Sequence, residues 1–317
     1  MNVSVVIPNL HSPIIDQTLE ALARQSWPIT QTEVIVVGLD RYGHVARFPF
    51  ARHIDTGEPV SPARARNIGV RASCGDIVVF LDADGIPRPD WLDRLVRWFE
   101  DPSVCVVGGA VDIDWDEPYW TVCDNVCIVY RFLPSAPPGE RAHLTSFNLA
   151  IRRSALEKVG LFDETFPKPA GEDTELTARL RLAGYKLFFD PGAVAAHRQS
   201  RGSQRAVMAK GYDIGYYSAR VDRRYASQLG FPPFLLNPLM LRLASPLLAV
   251  GITGRILCEV PQARQRQLWW GISLAKLAWC WGAADRLTVE ATRHAQTGLA
   301  PATSTAGSVA KTASPPA

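Results

Sequence analysis

The sequence carries no segment that reads as an export signal, because Met1 leads almost directly into the apolar run Val3–Ile7 with no basic stretch before it. The protein is therefore expected to start and stay in the cytosol. Charge of one sign is also scarce: the formal balance is +3, too small to imply a nucleic-acid partner, and none is expected. A thiol-rich metal site is missing too. The six cysteines (Cys74, Cys105, Cys123, Cys127, Cys258 and Cys280) are scattered mostly in apolar surroundings. Cys123 and Cys127 sit four apart, but no second Cys or His pair at ligand spacing completes a zinc site. In a reducing compartment they read as buried free thiols. Apolar material, by contrast, is ample. At 47% it argues against wholesale disorder. A chain of 317 residues can build one large domain, or a domain of about 220 residues plus an appendage.

The first half alternates short β-branched runs with helical patterns. Val3–Ile7 is a continuous apolar strand, and Leu19, Leu22 and Ala23 mark the inner face of a helix that ends before Pro28. Glu33–Val37 and Ile77–Leu81 are further strands. Between them, Ser61 caps and Pro62 opens a helix that runs to Ala72. Asp90–Phe99 is amphipathic, with Leu92, Leu95, Val96 and Phe99 on one side, and Val104–Val111 is another strand. The stretch Asp112–Thr145, rich in Trp, Tyr, Pro and acids, predicts long loops around a short helix at Val122–Phe132. Helical patterning returns at Ser154–Gly160 and Thr174–Gly184, and Tyr185–Asp190 is the last strand. Buried strands separated by helices predict an α/β fold, a mainly parallel sheet with helices on both faces. Ligands of such sheets lie beyond the carboxyl ends of the strands.

Four local patterns bear on chemistry. Val78–Leu81 runs straight into Asp82-Ala83-Asp84-Gly85, so two carboxylates stand where a buried strand ends. An Asp-x-Asp pair there suits Mg²⁺ or Mn²⁺ held jointly with phosphates, with Gly85 letting the chain turn closely past the ion; a solvated acidic turn would look the same. Gly171-Glu172-Asp173-Thr174 places two carboxylates at a helix start, where they either cap the helix or deprotonate a bound hydroxyl. His197 closes Val194-Ala195-Ala196-His197, and a lone His is more often structural than a ligand. Arg66 and Asn67 lie on the helix leading into the Asp82 strand, where a surface ion pair is the bland alternative for Arg66.

Order and spacing bind these pieces together. VSVVIPNL, EVIVV, ARARNIGVRASCGDIVVFLDADGIPRPDWL, FNLAIRRSALEKVGLFDE and AGEDTELTARLRLAGYKLFFDPGAVAAH follow one another over roughly residues 1–200. The chain resembles an inverting family 2 glycosyltransferase with the nucleotide-sugar-binding GT-A fold. The resemblance implies that Pro8 and Asn9 line the base pocket, and that Asp82 lies near the ribose and metal. It makes Asp84 the ligand of a Mn²⁺ or Mg²⁺ ion bridging the diphosphate, Arg66 a phosphate neutraliser, and Asn148, with Arg152 or Arg153 behind it, the wall facing the sugar. Asp173 becomes the catalytic base with Glu172 as its neighbour, His197 a further metal ligand, and Arg201 a second phosphate contact. One departure stands out. The paired acids expected after the second strand are replaced by Val36-Val37-Gly38-Leu39-Asp40, so the base-recognising role falls to a displaced Asp40. A UDP-sugar is the expected donor, and a glycan or lipid-linked hydroxyl, as in polysaccharide biosynthesis, the expected acceptor.

Beyond residue 200 the character changes. Arg198–Arg266 carries eleven Arg and Lys against Asp213, Asp222 and Glu259. Two apolar stretches, Phe234–Leu257 and Leu268–Ala284, follow or overlap it; the second contains Trp269, Trp270, Trp279 and Trp281. Pro238, Arg242, Pro246 and Arg255 make a clean membrane span unlike the first. Tryptophans beside basic residues instead predict peripheral attachment to the inner face of the cell membrane; packing on the catalytic domain or across a homo-oligomer is the alternative. The expected division is a catalytic domain at 1–200, a basic and apolar helical extension at 201–290, and a disordered tail at 291–317. Two rival functions are a sugar nucleotidyltransferase, which would want a Gly-rich basic loop where VIPNLHSP stands, and a non-catalytic nucleotide-sugar-binding component of a membrane assembly, against which the intact acids argue.

Overall fold

A computed structural model describes residues 1–198, 202–229 and 233–297. Its strands are β1 (Val3–Leu10), β2 (Thr32–Leu39), β3 (Ala51–Asp55), β4 (Ile77–Leu81), β5 (Gly85–Pro87), β6 (Val106–Asp112), β7 (Gly139–Glu140), β8 (Asn148–Arg152) and β9 (Leu187–His197). Its helices are α1 (Ile15–Ala23), α2 (Pro62–Ala72), α3 (Trp91–Arg97), α4 (Tyr119–Val129), α5 (Arg153–Val159), α6 (Glu172–Leu182), α7 (Gln204–Leu229), α8 (Pro238–Glu259), α9 (Pro261–Gln265) and α10 (Trp269–Thr297). The strands form one sheet in the order β3-β2-β1-β4-β8-β6-β9-β5, with β7 also on β9.

The expected parallel sheet holds for half of this order. β3, β2, β1 and β4 are parallel, and the valines and isoleucines of β1, β2 and β4 are buried. The other half is mixed, because β8 enters antiparallel between β4 and β6. Patterning alone missed β8, a five-residue strand, β3, whose side chains are half-buried or exposed, and the three-residue β5. The last strand is longer than Tyr185–Asp190 predicts. A register shift opposite Gly109 and Ala110 lets Val194–Ala196 rejoin β6 and carries the strand on to His197. β5 then pairs Gly85 with His197, which brings the Asp84 turn to the end of β9. Gly85 begins a strand, where a Cβ would meet Leu81 Cδ1 at 2.8 Å and Asp82 O at 3.1 Å, so its lack of a side chain serves close packing at the end of the turn that its N–H closes.

α2 starts as expected, with Ser61 Oγ accepting from Arg64 N at 3.3 Å and Pro62 at the first position. The C-terminal helices pack against the sheet and share its core: Ile256, Val260, Ala263, Leu268 and Ile272 join the sheet-side cluster. α8 and α10 form an antiparallel hairpin, with Ser273 against Thr253 and Trp281 against Ser245. α7 crosses α10 so closely that a Cβ on Gly215 would lie 1.9 Å from Trp279 O, so only glycine fits that crossing. α10 runs to Thr297, past the expected start of the tail near 291; residues 298–317 lie outside the described residues. All six cysteines are free. Only Cys123 and Cys280 are buried, while Cys74 and Cys258 are exposed, which corrects the expectation of uniformly buried thiols.

Candidate active site

The carboxyl ends of β1, β2 and β4 open onto a cleft of about 820 Å³ lined by Pro8, Asn9, Arg66, Asp82, Asp84 and Arg198, among others. Its floor is the Asp82–Asp84 turn, and local chemistry fixes that turn tightly. Ser12 Oγ and Thr18 Oγ1 both donate to Ala83 O, at 3.1 and 3.0 Å, while Gly85 N donates to Asp82 O at 3.0 Å. Neither hydroxyl stood out in the sequence, because a Ser and a Thr near a helix start are ordinary. Asp82 is 32% exposed at the side chain and faces the cleft, where its Oδ1 accepts from Arg66 Nη2 at 2.7 Å.

Arg66 is the hub. Its side chain is only 3% exposed, and its Nη1 donates to Glu172 Oε1 at 3.1 Å, so one guanidinium ties the end of β4 to the start of α6. The surface ion pair that would be the bland alternative for Arg66 is thus replaced by a buried bridge. Among the described residues, Arg66 Nε and Glu172 Oε2 are buried without a hydrogen-bond partner. Burial, then the neighbouring Asp173, push the Glu172 carboxyl up to about 7, against the pull of Arg66. Asp173, beside it and partly open, accepts from Thr174 N at 2.7 Å and Ser146 N at 3.3 Å.

Asp84 and His197 meet, as expected of them: His197 Nε2 lies 3.6 Å from Asp84 Oδ2. His197 Nδ1 lies 3.2 Å from Asn125 Oδ1, and Phe147 stands edge-on to the ring at 4.9 Å. With Nδ1 donating to Asn125, Nε2 turns its lone pair to the side of the Asp84 carboxylate, so the two can serve one cation together. Among the described residues no three acid, His or Cys side chains form a closed cage. The donor set therefore fits a hard divalent ion that completes its shell with phosphate oxygens and water.

Several expected roles are relocated. Asn148 is buried at the middle of the sheet. Its Nδ2 donates to Ala110 O and Ala193 O and its Oδ1 accepts from Trp91 Nε1, so it latches strands together and does not face the cleft. Arg152 and Arg153 donate to backbone carbonyls, Phe99 and Val104 for the first, Val70 and Gly75 for the second, at the other end of β8. Asp40 accepts from Val45 N at 2.7 Å and braces its own loop; the residues of β2 that line the cleft are Gly38 and Leu39. Pro8 and Asn9 do line it, but the Asn9 amide is engaged by Leu39 O and Ser12 N. Arg201 lies outside the described residues.

Asp173 opens onto a second cavity of about 550 Å³. Pro169 borders both spaces, and the Arg66–Glu172 pair stands between them. This cavity is walled by the N-terminal α/β region on one side (Tyr130, Arg131, His143) and by α7, α8 and α10 on the other (Lys210, Ile252, Lys276, Trp279). Asp82 and Asp84 on one side and Asp173 on the other thus face two adjoining spaces that share one buried wall.

Comparison with known proteins agrees with this architecture. The family model described as glycosyl transferase family 2 matches residues 4–160. A pre-mycofactocin glycosyltransferase of Mycobacterium tuberculosis is 36% identical over 141 residues, 43% of this chain and 30% of that protein. Glycosyltransferase AglE of Haloferax volcanii is 29% identical over 206 residues, 62% of this chain and 66% of that protein. The chain thus spans 30% and 66% of the length of these two relatives. Among solved structures, a mannosyltransferase of Pyrobaculum calidifontis bound to GDP-Man and Mn²⁺ superposes with a TM-score of 0.56 at 20% identity, over 86% of this chain and 85% of that one. TarS of S. aureus in complex with UDP-GlcNAc gives 0.53 at 16% identity, over 94% of this chain and 92% of that one. The fold is GT-A.

Proposed function

From the premise that this chain belongs to glycosyltransferase family 2 through residues 4–160, we propose that it transfers a sugar from a nucleoside-diphosphate donor to an acceptor hydroxyl with inversion at the anomeric carbon. The observation that carries the reading is the Arg66 bridge, which sets the Asp82–Asp84 turn and Asp173 on two sides of one guanidinium. The donor occupies the cleft over β1, β2 and β4, with its diphosphate toward Asp84, His197 and Arg66. A Mn²⁺ or Mg²⁺ ion, when bound there, offsets the negative charge of the departing diphosphate. Arg66 adds fixed positive charge that needs no reorganisation during reaction. Asp173 takes the proton from the incoming hydroxyl in the second cavity; the new bond forms to the anomeric carbon as the bond to the diphosphate oxygen breaks on the opposite face. Asn125 positions His197, and Ser12 and Thr18 hold the turn.

The base is left to Gly38, Leu39 and the α1 entry, since Asp40 is spent on its own loop. UDP remains the base we favour for the donor. A thermal-shift screen of UDP-, GDP- and TDP-sugars with Mn²⁺ tests the donor assignment directly. We expect one nucleotide series to stabilise the protein only with the ion present, followed by slow Mn²⁺-dependent hydrolysis of that donor. Binding with no hydrolysis or transfer would favour the non-catalytic component instead.

We also infer that the protein attaches to a membrane surface through the outer face of the α8–α10 hairpin. Leu243 and Leu247 are 69% and 80% exposed on α8, and Trp269, Trp270 and Trp281 are half-exposed on α10. α8 is long and apolar enough to span a bilayer by length and composition, with 28% of its apolar window buried. However, Pro246 lies inside it and its inner face packs on protein, which supports lying on the surface over crossing it. Flotation with anionic vesicles should carry the protein upward, and Leu243→Glu with Leu247→Glu should abolish it; wild-type protein remaining at the bottom would defeat the inference.

A further inference from the structure

We propose that the second cavity takes an acceptor bearing an anionic group, a phosphate or a carboxylate, held by Arg131 and Lys276. This rests on the transfer reading above and deepens it. The two side chains are half-buried in the cavity wall, both close to the Tyr130 ring. The Arg131 guanidinium lies 5.3 Å and Lys276 Nζ 6.0 Å from that ring. Lys276 Nζ donates to Cys127 O at 2.9 Å. Among the described residues neither cation makes an ion pair with a carboxylate. That is unusual for half-buried charge, which normally acquires a partner because desolvation is costly. Elsewhere in the molecule Arg66 has two carboxylates, Arg179 has Glu175 and Arg286 has Glu290, while the half-buried Arg152 and Arg153 each donate to three backbone or hydroxyl oxygens instead.

The surroundings make the excess larger. Arg131 also acts on Arg141 as a like charge, and Lys210, which donates to Pro169 O at 2.6 Å, lines the same cavity. Three carboxylates line the wall, Asp124, Glu172 and Asp173. Glu172 pairs with Arg66, Asp173 serves the reacting hydroxyl in the reading above, and among the described residues Asp124, buried beside Cys127, makes no ion pair with Arg131 or Lys276. An anion entering here would meet two cations and the edge of an aromatic ring, while Ile214, Ile252 and Trp279 offer an apolar surface beside it. Lys276, Trp279 and Ile252 belong to α8 and α10. The extension thus supplies acceptor recognition to a site whose chemistry lies in the catalytic domain.

The test uses the full chain in EDTA, so that no divalent ion draws anions to the Asp84 turn. Geranyl diphosphate, methyl β-glucuronide and methyl β-glucoside are titrated separately by calorimetry. We expect at least one anionic probe to bind more tightly than the neutral glucoside. Its affinity should fall about tenfold or more in each of Arg131→Gln and Lys276→Gln, as expected for a lost charge-assisted contact, and Lys276→Arg should retain it. Preference for the diphosphate or for the uronate then names the source of the anion. Anionic probes that bind no better than the glucoside, or that bind undiminished in both Gln variants, would overturn the proposal. The wild-type comparison stands even if a variant misfolds. Because these titrations involve no transfer, their failure is separate from a failure of Asp173 as base.

Discussion

The two cavities on either side of Arg66 are built by opposite strategies. The donor cleft is made largely from strand ends: buried apolar strands stop at one edge, Pro8, Asn9, Asp82 and Asp84 stand on or just past them, and Arg66 reaches in from α2. Its polar atoms are largely satisfied within the protein, as with Ala83 O held by two hydroxyls and the Asn9 amide held by backbone. The acceptor cavity is made from the seam between two regions. Its walls come from loops and from helices 80 to 150 residues further along the chain, and it keeps cations with no carboxylate partner among the described residues. The difference teaches that chemistry and acceptor choice are separable here: one is written into the sheet, the other into the extension that closes over it.

That separation can be broken in several places. The largest effect is expected from Arg66→Met, because the substitution leaves Glu172 buried with no cation; a loss of roughly 3–5 kcal/mol is expected, read as a drop in urea midpoint together with loss of donor binding. Asp84→Ala should remove the dependence of donor affinity on Mn²⁺ or Mg²⁺, costing an order of magnitude or more in metal-linked affinity; calorimetry with and without the ion checks it, and unchanged metal linkage would count against the site. Gly215→Ala forces a Cβ to within 1.9 Å of Trp279 O and should cost about 1–3 kcal/mol as α7 and α10 part. It should impair acceptor-side function while leaving donor affinity intact, which is the sharpest test of separability.

The smallest effect is one of pH. Glu172 holds its proton up to about 7 in the fold, against 4.5 for an ordinary glutamate. Between those values the folded state binds a proton that the unfolded chain has released, so stability falls as pH rises through that window. Glu172→Gln should flatten this slope in denaturant melts taken from pH 4.5 to 7.

The same contrast explains what the sequence disclosed. β4 is legible to the residue because Ile77–Leu81 is uninterruptedly apolar and ends on an acid, and α2 is legible because Ser61-Pro62 has one structural meaning. Asp84 and His197, each legible as a strand-end residue, lie 3.6 Å apart in the fold. Asn148 was misplaced because an Asn at the start of a strand gives no sign of whether its amide faces ligand or core; only the folded sheet brings Ala110 and Ala193 to it. Asp40 likewise finds its partner five residues on, a contact that a displaced acid does not advertise. β8 went unread because five residues cannot establish a period. Arg131 and Lys276 carried no signal at all. Their meaning arises from tertiary packing that places them around one ring, across 145 residues of sequence.

The central claim is that Asp173 removes the acceptor proton on one side of Arg66 while the donor is held on the other. Asp173→Asn keeps the shape and the Thr174 and Ser146 surroundings but removes the base. With the donor and acceptor found by the screens above, this variant should bind the donor with near wild-type affinity and lose transfer by about 10²–10⁴-fold. Transfer within a few-fold of wild type, at equal donor binding, would contradict the account.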